Sequence, residues 1–286
     1  MSLRIGTRGS ALALAQARTV AEALGGELVT ITTDGDLGRG AGDKSRWTGA
    51  LERALLAGEI DLAVHSAKDV PSELAEGTRL IPPPPRADPR DALVGFPGLD
   101  AVPEGARIGT SALRRRSQLL ATRPDLDVVD LRGNVDTRLR KLAAGEVDAL
   151  VLAAAGLERL GVGQGMPLDG DLFVPAPGQG TLALQVRRTD QAVLHFKRPH
   201  DAATYIALIA ERAAVAALGA SCHTPVGVHA ELQGDELRMR GYVGLPDGSA
   251  WVLDELSASA EEPDKVGREL ATRMLVAGAR ELLAAA

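Results

Sequence analysis

The sequence predicts an α/β protein that ends in a smaller α+β module, on three observations. Short β-rich runs alternate with helical patterns through the first 190 residues, the signature of largely parallel sheets. The alternation occurs twice, with matching letters at matching places. Beyond about Asp201 it stops, and a helix leads into three strand-like runs in succession.

In the first set Leu3 to Thr7 reads as a strand, Ser10 to Leu24 as a helix, Glu27 to Thr33 as a strand, Trp47 to Ala57 as a helix and Ile60 to His65 as a strand. In the second, Arg107 to Thr110 is a strand, Ser111 to Ala121 a helix, Asp127 to Leu131 a strand, Val135 to Ala144 a helix and Val147 to Ala153 a strand. Arg4-Ile5-Gly6-Thr7 returns as Arg107-Ile108-Gly109-Thr110, and Gly58-Glu59-Ile60-Asp61 returns as Gly145-Glu146-Val147-Asp148. Two matches in one order predict two similarly built domains. Between them Ile81-Pro82-Pro83-Pro84-Pro85-Arg86 is too stiff for a helix or a central strand and marks the approach to a hinge. A second crossing is expected at Pro175-Ala176-Pro177-Gly178-Gln179-Gly180. The strand Leu182 to Val186 after it fits either domain. The last part reads as a helix, Ala202 to Leu218, strands Val226 to Leu232, Glu236 to Val243 and Ala250 to Leu256 joined by short turns, and a closing helix, Glu261 to Leu283.

Composition narrows the function. One cysteine among 286 residues, Cys222, rules out an intrachain disulfide, a zinc ribbon and an all-cysteine iron–sulfur site. The opening residues lack a secretory pattern and no apolar run approaches the ~20 residues of a membrane span, so a cytoplasmic protein is expected. A net charge of −6, with two Trp, two Tyr and three Phe, argues against nucleic-acid binding. Arg107 to Lys141 nevertheless holds nine basic residues against four acidic ones, which suits a local anion site.

Four constellations can carry chemistry. Gly6-Thr7-Arg8-Gly9-Ser10 and Gly109-Thr110-Ser111 place hydroxyls where a strand passes into a helix. Such turns serve as plain caps or, with Arg114-Arg115-Arg116 behind one of them, as carboxylate or phosphate sites. Arg132 in Leu131-Arg132-Gly133-Asn134, with Arg138 beyond it, lies at a strand's carboxyl end, where open α/β sheets bind ligands. His65-Ser66-Ala67-Lys68-Asp69-Val70-Pro71 offers a carboxylate for acid–base work or as a counter-ion to a cation, and equally a salt-bridged turn. Ser221-Cys222-His223-Thr224-Pro225 holds the single thiol in a polar loop, readable as a small buried hydrophobe, a nucleophile or a covalent anchor.

Together these stretches resemble the porphobilinogen deaminase, or hydroxymethylbilane synthase, family over nearly the whole chain. Ile5 to Gln16, Ala63 to Pro71, Asp88-Pro89-Arg90-Asp91-Ala92, Gly109 to Arg115, Leu131 to Leu139, Ala154 to Leu157, Pro175 to Gly180 and Cys222 with Pro225 and Gly227 carry the resemblance in order. It implies two periplasmic-binding-protein type II-like domains around a cleft plus a small α+β C-terminal domain: residues 1–85 with 178–198, residues 90–174, and residues 200–286. It also implies a dipyrromethane cofactor in thioether linkage to Cys222, on which four porphobilinogen units are joined with loss of ammonia. The linear tetrapyrrole is then released by hydrolysis.

By the same resemblance Asp69 is the catalytic carboxylate that stabilises cationic species. Ser66, Lys68, Thr110, Ser111, Arg114, Arg115, Arg132, Gly133 and Arg138 hold the cofactor, and Arg8, Ser10, Gln16, Arg159 and Gln179 face the substrate. No metal, nucleic acid or membrane is implied, and a monomer is expected. The loop Asp34 to Arg46 is short for the family; Lys44 and Trp47 stand where a lysine and a phenylalanine are usual, and Ala112 where serine is common. A rival reading, a non-catalytic two-domain binder of small carboxylates, leaves Cys222 without a use.

Overall fold

The structure, a computed structural model, describes residues 2–37, 45–163, 165–190, 200–220 and 224–285. These form two compact units, Met1–Ala87 with Thr181–Tyr205, and Asp88–Gly180 with Ile206–Ala286. In chain order the elements begin with β1 (Arg4–Thr7), α1 (Ala11–Leu24), β2 (Glu27–Thr30), α2 (Ser45–Leu56), β3 (Leu62–Ser66) and β4 (Thr78–Ile81). There follow β5 (Asp91–Val94), β6 (Arg107–Gly109), α3 (Leu113–Thr122), β7 (Asp127–Val129), α4 (Val135–Ala143), β8 (Ala149–Ala153), α5 (Ala154–Arg159) and β9 (Met166–Pro167). The chain continues through β10 (Leu182–Arg187), α6 (Ala202–Leu218), β11 (Val226–Gln233), β12 (Glu236–Gly244), β13 (Trp251–Ser259), α7 (Pro263–Met274) and α8 (Arg280–Ala285).

The first unit holds a five-stranded sheet of order β2-β1-β3-β10-β4, and the second one of order β7-β6-β8-β5-β9. In each, the first strand of a parallel trio lies between the other two, and a fourth strand runs antiparallel beside the third. That is the α/β class the alternating strands and helices predict. The antiparallel strand arrives last in the first unit and first in the second. Pairing decides where the ambiguous run after the second crossing goes: Leu184 lies opposite both Val64 and Ile81, so β10 belongs to the first sheet. Strands β4, β5 and β9 are absent from the sequence reading, because two to four residues beside prolines or turns show no periodicity.

The repeated letters have a mechanical meaning. Gly58 and Gly145 end the preceding helical turns with φ of 72° and 74°, a conformation other residues adopt at a cost. Three residues on, the Asp61 carboxylate accepts the Arg4 backbone N–H (3.0 Å) and the Asp148 carboxylate that of Arg107 (2.7 Å). Each aspartate ties the crossover to the start of its first strand. The third strands therefore begin after these aspartates, at Leu62 and Ala149, rather than at Ile60 and Val147.

Other ends move for local reasons. α3 starts at Leu113 rather than Ser111, because Ala112 remains extended in a turn where Thr110 Oγ1 accepts the Ala112 N–H (3.3 Å). The strand expected over Ala250 to Leu256 runs from Trp251 to Ser259, and β11–β13 form an antiparallel meander. Its inner face packs with α6 and α7 around Val228, Leu237, Met239, Leu270 and Met274, so the α+β ending holds. The single closing helix does not. Pro263 starts it, a π turn over Leu275–Ala279 interrupts it, and Gly278 at φ 105° breaks it before α8. No helix among the described residues is long and apolar enough to cross a membrane.

Candidate active site

In the first unit the turn after β1 carries Arg8 and Ser10. Ser10 caps α1, its hydroxyl accepting the Ala13 N–H at 3.3 Å. Arg8 reaches Asp36, donating through Nε (3.1 Å) and Nη2 (2.5 Å), while its guanidinium carbon lies 4.1 Å from the centre of the Trp47 ring. Burial pushes the Asp36 carboxyl up, and hydrogen bonds from Arg8 and Thr33 more than offset it, holding it below its ordinary range. Gln16 is buried on α1.

β3 delivers Ser66 at its end, and the chain turns at once through a short 3-10 turn, Ala67–Asp69, that leaves Lys68 and Asp69 half-buried. Behind them His65 is buried, with Nε2 3.0 Å from Gln185 Oε1. Gln185 Nε2 donates to Glu52 Oε1 (2.9 Å) and Thr78 Oγ1 (2.8 Å), so its oxygen faces the histidine and His65 Nε2 carries the ring proton. Burial is the main force pushing His65 down to about 4, against the opposing pull of Gln185, Glu52 and Asp69. A neutral histidine thus links β3 to β10 and, through Gln185, to Glu52 on α2.

The second unit concentrates charge on Asp91. Arg114 donates to its Oδ2 (2.6 Å) and Arg115 to its Oδ1 (2.8 Å), and all three side chains are buried. Gln179, fully buried, donates to Asp91 Oδ1 (2.9 Å) and to the Pro89 carbonyl (2.7 Å). Arg114 also reaches Gln118 Oε1 and the Val174 carbonyl, and Arg115 the Val151 carbonyl. Burial pushes the Asp91 carboxyl up, yet the two guanidinium charges hold it far below its usual range. Two buried guanidiniums thus meet on one carboxylate.

Beside it, Arg138 donates through Nε to the Gly133 carbonyl (2.8 Å) and through Nη2 to the exposed Ser111 hydroxyl (3.0 Å). Desolvation, reinforced by the Arg115 charge, pushes Arg138 down to about 10; it stays cationic at neutral pH, in surroundings an added anion would improve. Thr110 is buried, its N–H on the Val129 carbonyl (3.0 Å). Arg159 donates to the Gly180 carbonyl (2.7 Å), and burial lowers its pKa. Arg132 stands apart, largely exposed beside Asp130 at 3.0 Å. Cys222 and Lys44 lie outside the described residues.

Several residues here carry no role in the sequence reading. Asp91 was visible only within a matching stretch, although a charged residue opening a short apolar strand, Asp91-Ala92-Leu93-Val94, signals a buried partner of opposite charge. Glu211, on α6, is fully buried and accepts the N–H groups of Gly178 (2.6 Å) and Ala230 (2.8 Å), pinning the Pro175 to Gly180 turn to β11. Asp36, Glu52 and Gln185 gave no signal, since the Arg8–Asp36 pair spans 28 residues and the Glu52–Gln185 pair 133.

The family model described as "Porphobilinogen deaminase, dipyromethane cofactor binding domain" matches residues 3–195, and "Porphobilinogen deaminase, C-terminal domain" matches 205–276. A porphobilinogen deaminase of Roseiflexus sp. (strain RS-1) is 49% identical over 99% of both chains. That of Deinococcus radiodurans is 45% identical over 99% of this chain and 98% of its own, and that of Thermus thermophilus 44% identical over 98% and 97%. Among solved structures, an ancestral cationic amino acid solute binding protein aligns at 15% identity and a TM-score of 0.43, over 68% of this chain and 85% of its own. With both domain models matched in order across the chain, the protein belongs to the porphobilinogen deaminase family.

Proposed function

We propose that the protein is a transferase of tetrapyrrole biosynthesis that joins four porphobilinogen molecules, releasing ammonia at each addition, into the linear tetrapyrrole hydroxymethylbilane. The observation that supports this reading beyond family membership is the gathering of three arginines in the second unit, Arg114 and Arg115 on the buried Asp91 carboxylate and Arg138 bonded to Ser111 and the Gly133 carbonyl. Pyrroles bearing acetate and propionate groups suit such a cluster, because guanidinium groups pair with carboxylates through charge-assisted, often bidentate hydrogen bonds. The dipyrromethane cofactor, linked to Cys222, supplies the pyrrole carbon to which the first substrate is joined.

The chain's own residues then divide the work. Arg114, Arg115, Arg132 and Arg138, with Ser111, Thr110 and the Gly133 turn, bind cofactor carboxylates, and Ser66 and Lys68 do so from the end of β3. Arg8, Ser10, Gln16, Arg159 and Gln179 orient the incoming substrate. Asp69 faces the pyrrole N–H groups and stabilises the positive charge that develops as the amine leaves. The division into residues 1–85 with 178–198, 90–174 and 200–286 belongs to this proposal, with the tether on the third domain. So do a monomer in the cytoplasm and a free small-molecule substrate without nucleic acid.

Intact-mass measurement tests the assignment. The active protein is expected to exceed its sequence mass by two pyrrole units. Cys222→Ser is expected to lose the excess, and Asp69→Ala to retain it while losing nearly all turnover. An unmodified mass in active protein overturns the tether, and robust turnover in Asp69→Ala removes that carboxylate from the mechanism.

A further inference from the structure

Asp36 and Trp47 belong to no part of the assignment above, yet between them they fix the geometry of Arg8. Asp36 does not swing freely onto the arginine. Its Oδ2 accepts the Thr33 N–H (3.1 Å) and the Thr33 hydroxyl (2.7 Å), and its own N–H donates back to the Thr33 carbonyl (3.0 Å). Thr33 is fully buried, so the carboxylate stands on a rigid turn. That turn is pressed against the indole: a side-chain carbon built on Gly35 would lie 2.1 Å from the Trp47 ring, a distance no substituent tolerates. Trp47, in the first turn of α2, covers one face of the guanidinium.

The bonding leaves a defined remainder. Asp36 occupies the Nε–Nη2 edge of Arg8, Trp47 covers a face, and Nη1 has no hydrogen-bond partner among the described residues. A guanidinium offers two bidentate edges, and the second, Nη1–Nη2, is the one left to receive a carboxylate. Arg8 and Asp36 already neutralise each other, so the pair contributes orientation more than field. An arginine held on one edge and one face need not give up side-chain freedom when a ligand arrives.

We propose that Asp36 and Trp47 are positioning residues that preset Arg8 to receive one carboxylate of an incoming pyrrole substrate on its Nη1–Nη2 edge. This rests on the reading of Arg8 as a substrate-binding residue, and the experiment separates the two. Steady-state kinetics with porphobilinogen are measured for Asp36→Ala, Asp36→Asn, Trp47→Leu, Arg8→Ala and the double variant Arg8→Ala/Asp36→Ala, alongside thermal midpoints. Asp36→Ala is expected to raise KM about tenfold with kcat within about twofold, the pattern of lost binding rather than lost chemistry. Asp36→Asn, which keeps an acceptor for Nε, is expected to fall between it and the parent, and Trp47→Leu to raise KM less than Asp36→Ala. In the Arg8→Ala background the Asp36 substitution is expected to add nothing. An unchanged or lowered KM in Asp36→Ala, with Arg8→Ala still raising it, overturns the positioning role and marks Asp36 as a competitor for Arg8. A full additive loss in the double variant overturns it as well. An unchanged KM in Arg8→Ala overturns the substrate role of Arg8 itself, and the present proposal with it.

Discussion

The turn after β1 and the turn after β6 share letters and place in their sheets, and they handle positive charge in opposite ways. After β1, Ser10 caps its helix and one arginine, partly buried, meets one carboxylate and an indole. After β6 the helix begins at Leu113, its cap residue Ala112 offers no side-chain bond, and two arginines go into the interior onto a single aspartate. The first arrangement is cheap, since a partly solvated pair costs little to form or to lose. The second is expensive, since three charged groups are desolvated together. The repeat thus keeps a backbone path while the two copies diverge in electrostatic load.

The contrast can be broken most severely at Asp91. Removing that carboxyl in Asp91→Ala takes the shared counter-charge from two buried guanidiniums and is expected to destabilise the second unit by about 3–5 kcal/mol, read by urea unfolding. Removing Asp130 from the exposed Arg132 is expected to cost under about 0.5 kcal/mol by the same assay, and similar losses at both sites would erase the distinction drawn here.

The next effect depends on pH and belongs to the first unit. Buried neutral His65 titrates near 4 when folded, against an ordinary 6.5. The unfolded chain therefore takes up the proton first, so the stability present above 6.5 is lost progressively as pH falls toward 4. Between pH 7 and pH 5 the expected loss is about 2 kcal/mol. A His65→Gln variant is expected to lose less over that interval, and an identical slope would place the pH dependence elsewhere.

The smallest effect exchanges the caps. Ser10→Ala is expected to cost about 1 kcal/mol, while Ala112→Ser, at an extended residue suited to the cap position, is expected to stabilise by up to about 1 kcal/mol. Thermal midpoints moving in opposite directions would confirm that the two turns differ in capping alone at these positions; a fall for both would mean that the Thr110–Ala112 bond already serves as the cap.

Local and periodic features were legible in the sequence. The alternation of strands and helices, the repeat, the cap at Ser10, the helix Ala202–Leu218 and the meander after it follow from spacing that neighbouring residues impose on each other. The repeat even exposed its own mechanism, since Gly58, Asp61, Gly145 and Asp148 are both the matching letters and the residues that stop the turns and tie the strands. Matching stretches also pointed to Arg8, Asp69, Arg114, Arg115 and Arg138, all at strand ends or the helix turns beside them.

Only tertiary structure decided what those side chains meet. That β10 joins the first sheet rests on its pairing with Val64 and Ile81, more than a hundred residues earlier. That Asp91 carries two arginines, that Gln185 bridges His65 to Glu52, that Glu211 holds Gly178 and that Asp36 grips Arg8 are facts of long-range packing. The physical reason is the same in each case. Hydrophobic period and turn chemistry act over a few residues and leave a pattern in the letters, whereas a buried charge is stabilised by whichever partner the fold brings to it.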